Sequence, residues 1–401
     1  MTNLNRRIAL TVSALFLSGC GTLLREPVPL ELTGQTTIPG FADVRAVAGS
    51  RNTAIEADLI ASFAQESPTD FPVQADGRIH YAHLVLSGGG ANGAFGSGLL
   101  KGWSDTGKRP RFKIVTGVST GALMAPFAFL GEEFDEALKT FYTRTDSRRV
   151  FRVRSLLQMV SGESIADTTP LAEEIARQVD GVFLDRVAAE HRRGRRLYAG
   201  TTDLDAQSFI VWNLGAIAAS GQPKAVELFR RVMLASASIP VVFPPVFFRV
   251  ETQGRLYDEM HVDGGVGTRM FYNGGLFDFA QAQRASGRSP GIEDVFVIHN
   301  GQLAPVPEQT PRTLRGIATR SLESTGKAAT VGDLFRIYTL VQRSGGTFRW
   351  MTLPAGVQVE SNELFDPVTM GELFEIGKRI GTAGPQWLEH LPGLSTTERR
   401  P

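Results

Sequence analysis

Ser119 sits in Gly117-Val118-Ser119-Thr120-Gly121, directly after the β-branched run Ile114-Val115-Thr116 and before the helix-forming run Ala122 to Leu130. That layout is a strand, a sharp turn and a helix with the serine at the apex. Gly117 and Gly121 lack Cβ atoms, so the two arms of the turn can approach closely while the serine backbone is strained. The hydroxyl then stands at the carboxyl end of a strand, over a helix N-terminus whose free N–H groups favour developing negative charge. This is the chemistry of a serine nucleophile. A second glycine run, Gly88-Gly89-Gly90-Ala91-Asn92-Gly93, follows the strand-like His83 to Ser87 and precedes a helical stretch, Ala94 to Trp103. It fits Gly-x-Gly-x-x-Gly, but the next strand ends in the serine turn and offers no carboxylate for a ribose, which argues against a dinucleotide site. The other use of such a run is to present backbone N–H groups to an oxyanion.

A serine nucleophile needs a proton acceptor. Of the six histidines, His299, in His299-Asn300-Gly301 after a strand, is the best placed by sequence, and His390 is next. Asp263 is the stronger candidate: it follows the apolar approach Tyr257 to Val262 and precedes Gly264 and Gly265, so its carboxylate sits on a tight turn. Asp-Gly-Gly is also ordinary turn chemistry. Two further features are open to two readings each. The arginine clusters Arg144 to Arg154 and Arg192 to Arg196 suit either anionic headgroups or a solvated face. The apolar stretch Val241 to Phe248 suits either an acyl-chain channel or core.

The elements that must position these groups alternate in type. Strands are expected at His83 to Ser87, Phe112 to Thr116, Arg196 to Thr202, Gln207 to Asn213 and Asp294 to His299. Helices are expected between them, and Pro311 to Arg343 and Val368 to His390 read as mostly helical around a short strand near Phe348 to Trp350. Alternating strands and helices predict an α/β fold with a largely parallel sheet. With 401 residues, 42% of them hydrophobic, the chain can bury a substantial core. Its net charge of +1 gives no global reason to expect nucleic acid.

The N-terminus reads as a processing signal. Arg6 and Arg7 precede an apolar stretch, Ile8 to Leu17, about half the ~20 residues a spanning helix needs. It ends in Leu17-Ser18-Gly19-Cys20, which resembles a bacterial lipobox, and Cys20 is the single cysteine of the chain. The expectation is a signal peptide over 1–19, lipidation of Cys20, and an exported protein held on a membrane. Gly21 after the cysteine favours the outer membrane by the same resemblance. Residues 20–80 read as a lipidated tether carrying one helix, Thr53 to Gln65.

Taken in order, Ser-Gly-Gly-Gly-Ala-Asn-Gly, Gly-Val-Ser-Thr-Gly, the Ala235-Ser236-x-x-x-Pro240 segment and Asp-Gly-Gly together resemble the patatin-like phospholipases. The resemblance spans Leu84 to Leu276 and sets the expected domain at 84–276, followed by a mostly helical extension, 277–401. It implies a three-layer α/β/α patatin-like fold with a central, mostly parallel sheet. It also implies a Ser–Asp dyad, Ser119 as nucleophile and Asp263 as proton acceptor, with the backbone amides of Gly88, Gly89 and Gly90 as the oxyanion hole. Gly93, Gly117, Gly121, Gly264 and Gly265 complete the motifs. The implied substrate is a membrane lipid or other lipid ester, with no metal and no organic cofactor. Family members often carry Arg or Lys in the glycine block where this chain has Asn92, so no positive charge assists from that position.

Overall fold

The computed structural model describes residues 25–155, 158–159, 162–288, 291–357 and 363–392. The expected signal segment and Cys20 lie outside the described residues. Among the described residues no helix is long and apolar enough to cross a membrane.

One nine-stranded sheet organises the chain. Its strands are β1 (Arg45–Val47), β2 (His80–Leu86), β3 (Phe112–Val118), β4 (Arg196–Asp203), β5 (Ser208–Asn213), β6 (Val246–Thr252), β7 (Arg255–Asp263), β8 (Ile292–His299) and β9 (Thr347–Thr352). The order is β1-β5-β4-β3-β2-β8-β9, with β7 added to the end of β4 and β6 paired to β7. The run β4-β3-β2-β8-β9 is parallel; β1, β5, β6 and β7 join antiparallel. The helices used below are α1 (Thr53–Ala64), α2 (Gly93–Asp105), α3 (Thr120–Leu130), α4 (Ala225–Ser236), α5 (Leu314–Ser344) and α6 (Pro367–Thr382).

Alternation along the central strands divides the interior into two layers. On β8, Phe296 and Ile298 enter the core shared with α2, α3, α4 and α6, while Val295 and Val297 face Leu334, Ile337 and Val341 of α5. Beside that second core, α1 packs Ile55, Leu59 and Phe63 on the same side of the sheet. Near-continuous apolar strands are what a sheet covered on both faces requires, and the result is the three-layer α/β/α fold expected from sequence.

Two expected boundaries do not hold. β8 and β9, placed by sequence in a separate extension, lie beside β2 in the same sheet. α6 packs on α2 so closely that a Cβ on Gly98 would lie 1.9 Å from the Phe374 carbonyl oxygen, and one on Gly377 would lie 2.1 Å from that of Phe95. The described residues of 277–392 therefore complete the domain. Nor is the stretch from Arg25 onward a free tether. Arg25 pairs with Asp205 and Asp258, Thr37 exchanges backbone bonds with Glu251, and β1 pairs with β5. The Val241 to Phe248 stretch divides between a loop and the start of β6.

Candidate active site

The sheet brings the two candidate reactive residues together. β3 ends with Val118 opposite Gly200 of β4, and the next residue of β4, Thr201, lies opposite Asp263 at the end of β7. Ser119, one residue past Val118, therefore turns out of the sheet beside the aspartate. Its backbone has φ 56° and ψ −126°, a conformation that is strained for serine and held by the packing around it. A Cβ on Gly117 would lie 2.3 Å from the Gly121 carbonyl oxygen, and one on Gly121 would lie 2.3 Å from that of Leu86. Both glycines are sterically required for the elbow to close against β2.

Asp263 is buried, and burial pushes its carboxyl pKa up to about 6; the Ser119 hydroxyl, the Gly265 amide and the charge of Arg269 act against that shift. Oδ1 accepts the Gly265 N–H at 2.7 Å. Oδ2 is buried and has no fully formed hydrogen bond, so the interaction with Ser119 is looser than the Gly265 bond. An aspartate raised to about 6 is still ionised at neutral pH yet far more basic than an exposed one at about 3.9.

The Ala-Ser-x-x-x-Pro segment at the end of α4 clamps both residues. The buried Ser236 hydroxyl accepts the Ser119 N–H at 2.9 Å and donates to the Gly200 carbonyl at 2.6 Å. Two residues on, the Ser238 carbonyl accepts the Asp263 N–H at 2.8 Å. The motif was legible in sequence, but its task was not, because its partners lie 117 and 36 residues away for Ser236.

The glycine run separates into two roles. The Gly88 N–H donates to the Arg269 carbonyl at 3.1 Å, so it is not a free oxyanion donor, in contrast to the sequence expectation. Gly88 serves by close packing instead, since a Cβ there would lie 3.2 Å from the Ser119 Cβ. The amides of Gly89 and Gly90, and that of Thr120 after the serine, have no acceptor among the described residues. Gly90 has φ 57°, and the Asn300 carbonyl backs the run so tightly that a Cβ on Gly89 would lie 1.9 Å from it. Asn300 is in turn tied to Ser87 by two hydrogen bonds. Gly93 packs against Thr120 and Tyr142, and Gly264 against the Gly200 carbonyl. Arg269, which sequence reasoning missed, acts on Asp263 by its charge and makes no ion pair among the described residues.

Neither histidine alternative reaches the serine. His299 is buried, its Nδ1 hydrogen-bonds Thr352 Oγ1 at 2.9 Å, and burial lowers its pKa to about 4. His390 is exposed at the surface and its carbonyl accepts the Trp350 indole N–H. His261, two residues before Asp263, is engaged by Thr201 and Glu259.

An apolar slot opens on Ser119. Its walls include Gly90, Leu123, Leu171, Ile239, Phe243 and Met370, set close together around a narrow cleft of about 450 Å³ that opens to solvent. Its walls must part to admit a chain. A larger concavity, about 960 Å³ of empty space, lies against Arg109, Arg111 and Phe112 at the start of β3, remote from the serine elbow.

A mostly parallel α/β/α sheet thus sets a serine elbow, a glycine run with free amides and a buried aspartate side by side. Residues 84–272, a little under half of the chain, match the family model of the patatin-like phospholipases, and the chain carries a patatin-like phospholipase domain. The sequence has no significant match among curated proteins. Among solved structures it is similar to VipD from Legionella pneumophila, with 12% identity over 78% of this chain and 69% of that one, at a TM-score of 0.37. It is also similar to the human GIVD cytosolic phospholipase A2, with 11% identity over 71% of this chain and 51% of the other (TM-score 0.29). A third similarity is to full-length ExoU in complex with full-length SpcU from Pseudomonas aeruginosa, with 16% identity over 76% of this chain and 51% of that one (TM-score 0.22). The chain spans about half the length of the last two.

Proposed function

We propose that the protein is a lipid acyl hydrolase of the phospholipase A or lysophospholipase type, working through a Ser119–Asp263 dyad in lipid breakdown. The observation that carries this reading is the juxtaposition of a strained serine elbow with a buried, basic aspartate at the mouth of an apolar slot. Ser119 Oγ attacks the acyl carbonyl carbon while its proton passes to Asp263. The carbonyl oxygen becomes the oxyanion and accepts from Gly89 and Gly90. Collapse of the tetrahedral intermediate breaks the ester C–O bond, and the proton on Asp263 goes to the departing alcohol. Water, deprotonated by the same aspartate, then releases the fatty acid from the acyl-enzyme. Each oxyanion donor of this kind contributes roughly 10²–10³ in rate.

Labelling with a fluorophosphonate probe tests the dyad. Wild-type protein should react at Ser119, Ser119→Ala should not react, and Asp263→Asn should react far more slowly while staying folded. Equal labelling of a folded Asp263→Asn would overturn the assignment. We propose also, from residues 6–20, that the chain is exported and held on the outer membrane by acylated Cys20.

A further inference from the structure

The two arginine clusters differ in what they do. In the second, Arg193, Arg195 and Arg196 are committed to Asp70, Glu190 and Asp58; the Arg196 pair holds α1, and the Arg193 pair holds the loop that follows it. In the first, Arg144, Arg148, Arg149 and Arg152 are exposed, and none of them makes an ion pair among the described residues. Asp146 is the acidic residue between Arg144 and Arg154, and its carboxylate accepts the Arg149 N–H. On the adjoining segments Asp167 and Asp366 are engaged by the amides of Thr169 and Val368, while Glu163 faces solvent.

This unpaired cluster borders the slot. Thr145 and Val150, inside the arginine stretch, line it, as do Ile239 and Phe243 on one neighbouring segment and Phe365 and Met370 on another. The three segments are fastened together. Ser147 bonds both backbone groups of Phe365, and the Phe151 ring packs 5.7 Å from that of Phe243 and 6.5 Å from that of Phe365. The short ribbon of Arg152–Val153 with Ala166–Asp167 continues to the loop through the Ile165 N–H on the Val241 carbonyl. Next to the lining residues, Val153, Ile165, Val241, Leu364 and Val368 are exposed.

Val241 is the residue least explained by the fold. It lies between the lining residues Ile239 and Phe243, it is 69% exposed, and its φ is 70°. A β-branched side chain is a genuine outlier in that region, so the loop bears both strain and an exposed apolar group. Strain of this kind collects at functional segments.

We propose that this rim is a docking face for the surface of an anionic phospholipid bilayer. Val241 and its apolar neighbours enter the headgroup boundary, and Arg148, Arg149 and Arg152 meet lipid phosphates. The inference rests on the reading of the Ser119 slot as the acyl site, because it sets the mouth of that slot against the bilayer. Charge complementarity selects the bilayer over a neutral apolar partner: the segment that borders the slot carries exposed guanidinium groups with no ion pair among the described residues, and each basic group near an anionic surface adds about fivefold to binding.

The test is sedimentation with vesicles of phosphatidylcholine alone or with added phosphatidylglycerol. The full chain carries Ser119→Ala and Cys20→Ser, so that neither turnover nor an acyl chain contributes, and residues 1–19 are common to every variant. The parent should sediment with the mixed vesicles more strongly than with the neutral ones, and the difference should shrink with salt. Replacing Arg148, Arg149 and Arg152 together by Gln should weaken binding to mixed vesicles by roughly 100-fold. Val241→Asn, a side chain that tolerates positive φ, should weaken it without lowering the thermal midpoint. Binding that ignores phosphatidylglycerol, or that survives both changes in folded protein, overturns the proposal; Arg149→Gln alone, on the surface, supplies the readout if the triple variant does not fold. Failure of folded wild-type protein to label with the fluorophosphonate, with vesicle binding of the Ser119→Ala protein intact, would instead overturn the dyad alone.

Discussion

Asp263→Asn should inactivate the protein and stabilise it, and the stabilisation should depend on pH. Burial raises the Asp263 pKa from 3.8 to about 6 in the folded state. A carboxyl whose folded pKa lies above its unfolded value favours folding fully at pH below about 4, and that contribution is lost as pH rises through about 6. At 1.36 kcal/mol per pH unit the difference is about 3 kcal/mol at neutral pH. Asparagine stays neutral throughout, and its side-chain oxygen retains an acceptor for the Gly265 N–H. The variant should therefore match wild type near pH 4 and exceed it by up to about 3 kcal/mol at pH 7 and above. Denaturant unfolding at pH 4, 5, 6 and 7.5 measures this directly. Hydrolysis of a short-chain ester by wild type should rise with pH through about 6, as the base ionises. The reasoning fails if the stability difference between the two proteins is constant across that range, or if wild-type hydrolysis at pH 5 equals that at pH 7.5.

Three further outcomes follow from the same geometry. Ser236→Ala leaves the Ser119 N–H and the Gly200 carbonyl without partners, each worth about 1–3 kcal/mol when buried. It should lower kcat by about 10²-fold through misplacement of the elbow, with KM little changed; Ser236→Thr should restore part of the rate, and a folded alanine variant with wild-type kcat would remove Ser236 from its positioning role. Gly98→Ala forces α2 and α6 apart, since the new Cβ would meet the Phe374 carbonyl at 1.9 Å; a loss of at least about 1–3 kcal/mol in denaturant unfolding is expected. Cys20→Ser should abolish incorporation of labelled fatty acid into the protein expressed in bacterial cells, and undiminished incorporation would exclude Cys20 as the acylated residue.

The features legible in the chain are those a short stretch must satisfy locally. The Ser119 elbow, the Gly88 to Gly93 run and Asp263-Gly264-Gly265 were legible because each needs small or glycine residues at fixed offsets around a reactive group. The central strands were legible because β2, β3 and β8 are covered on both faces and read as apolar runs. Tertiary structure alone decided the rest. That β4 lies between the elbow strand and the aspartate strand is a matter of register, and no local pattern encodes it. Whether a glycine amide is a free donor depends on a carbonyl far along the chain, so Gly88 is committed to Arg269 while Gly89 and Gly90 remain available. The same holds for Ser236, whose short polar side chain gives no sign of its distant partners, and for the C-terminal strands, which look like an appendage until their hydrogen bonds to β2 are seen. Local sequence sets which conformations a segment can adopt; only contacts between distant segments set the burial and hydrogen bonding that bring Ser119 beside a buried Asp263.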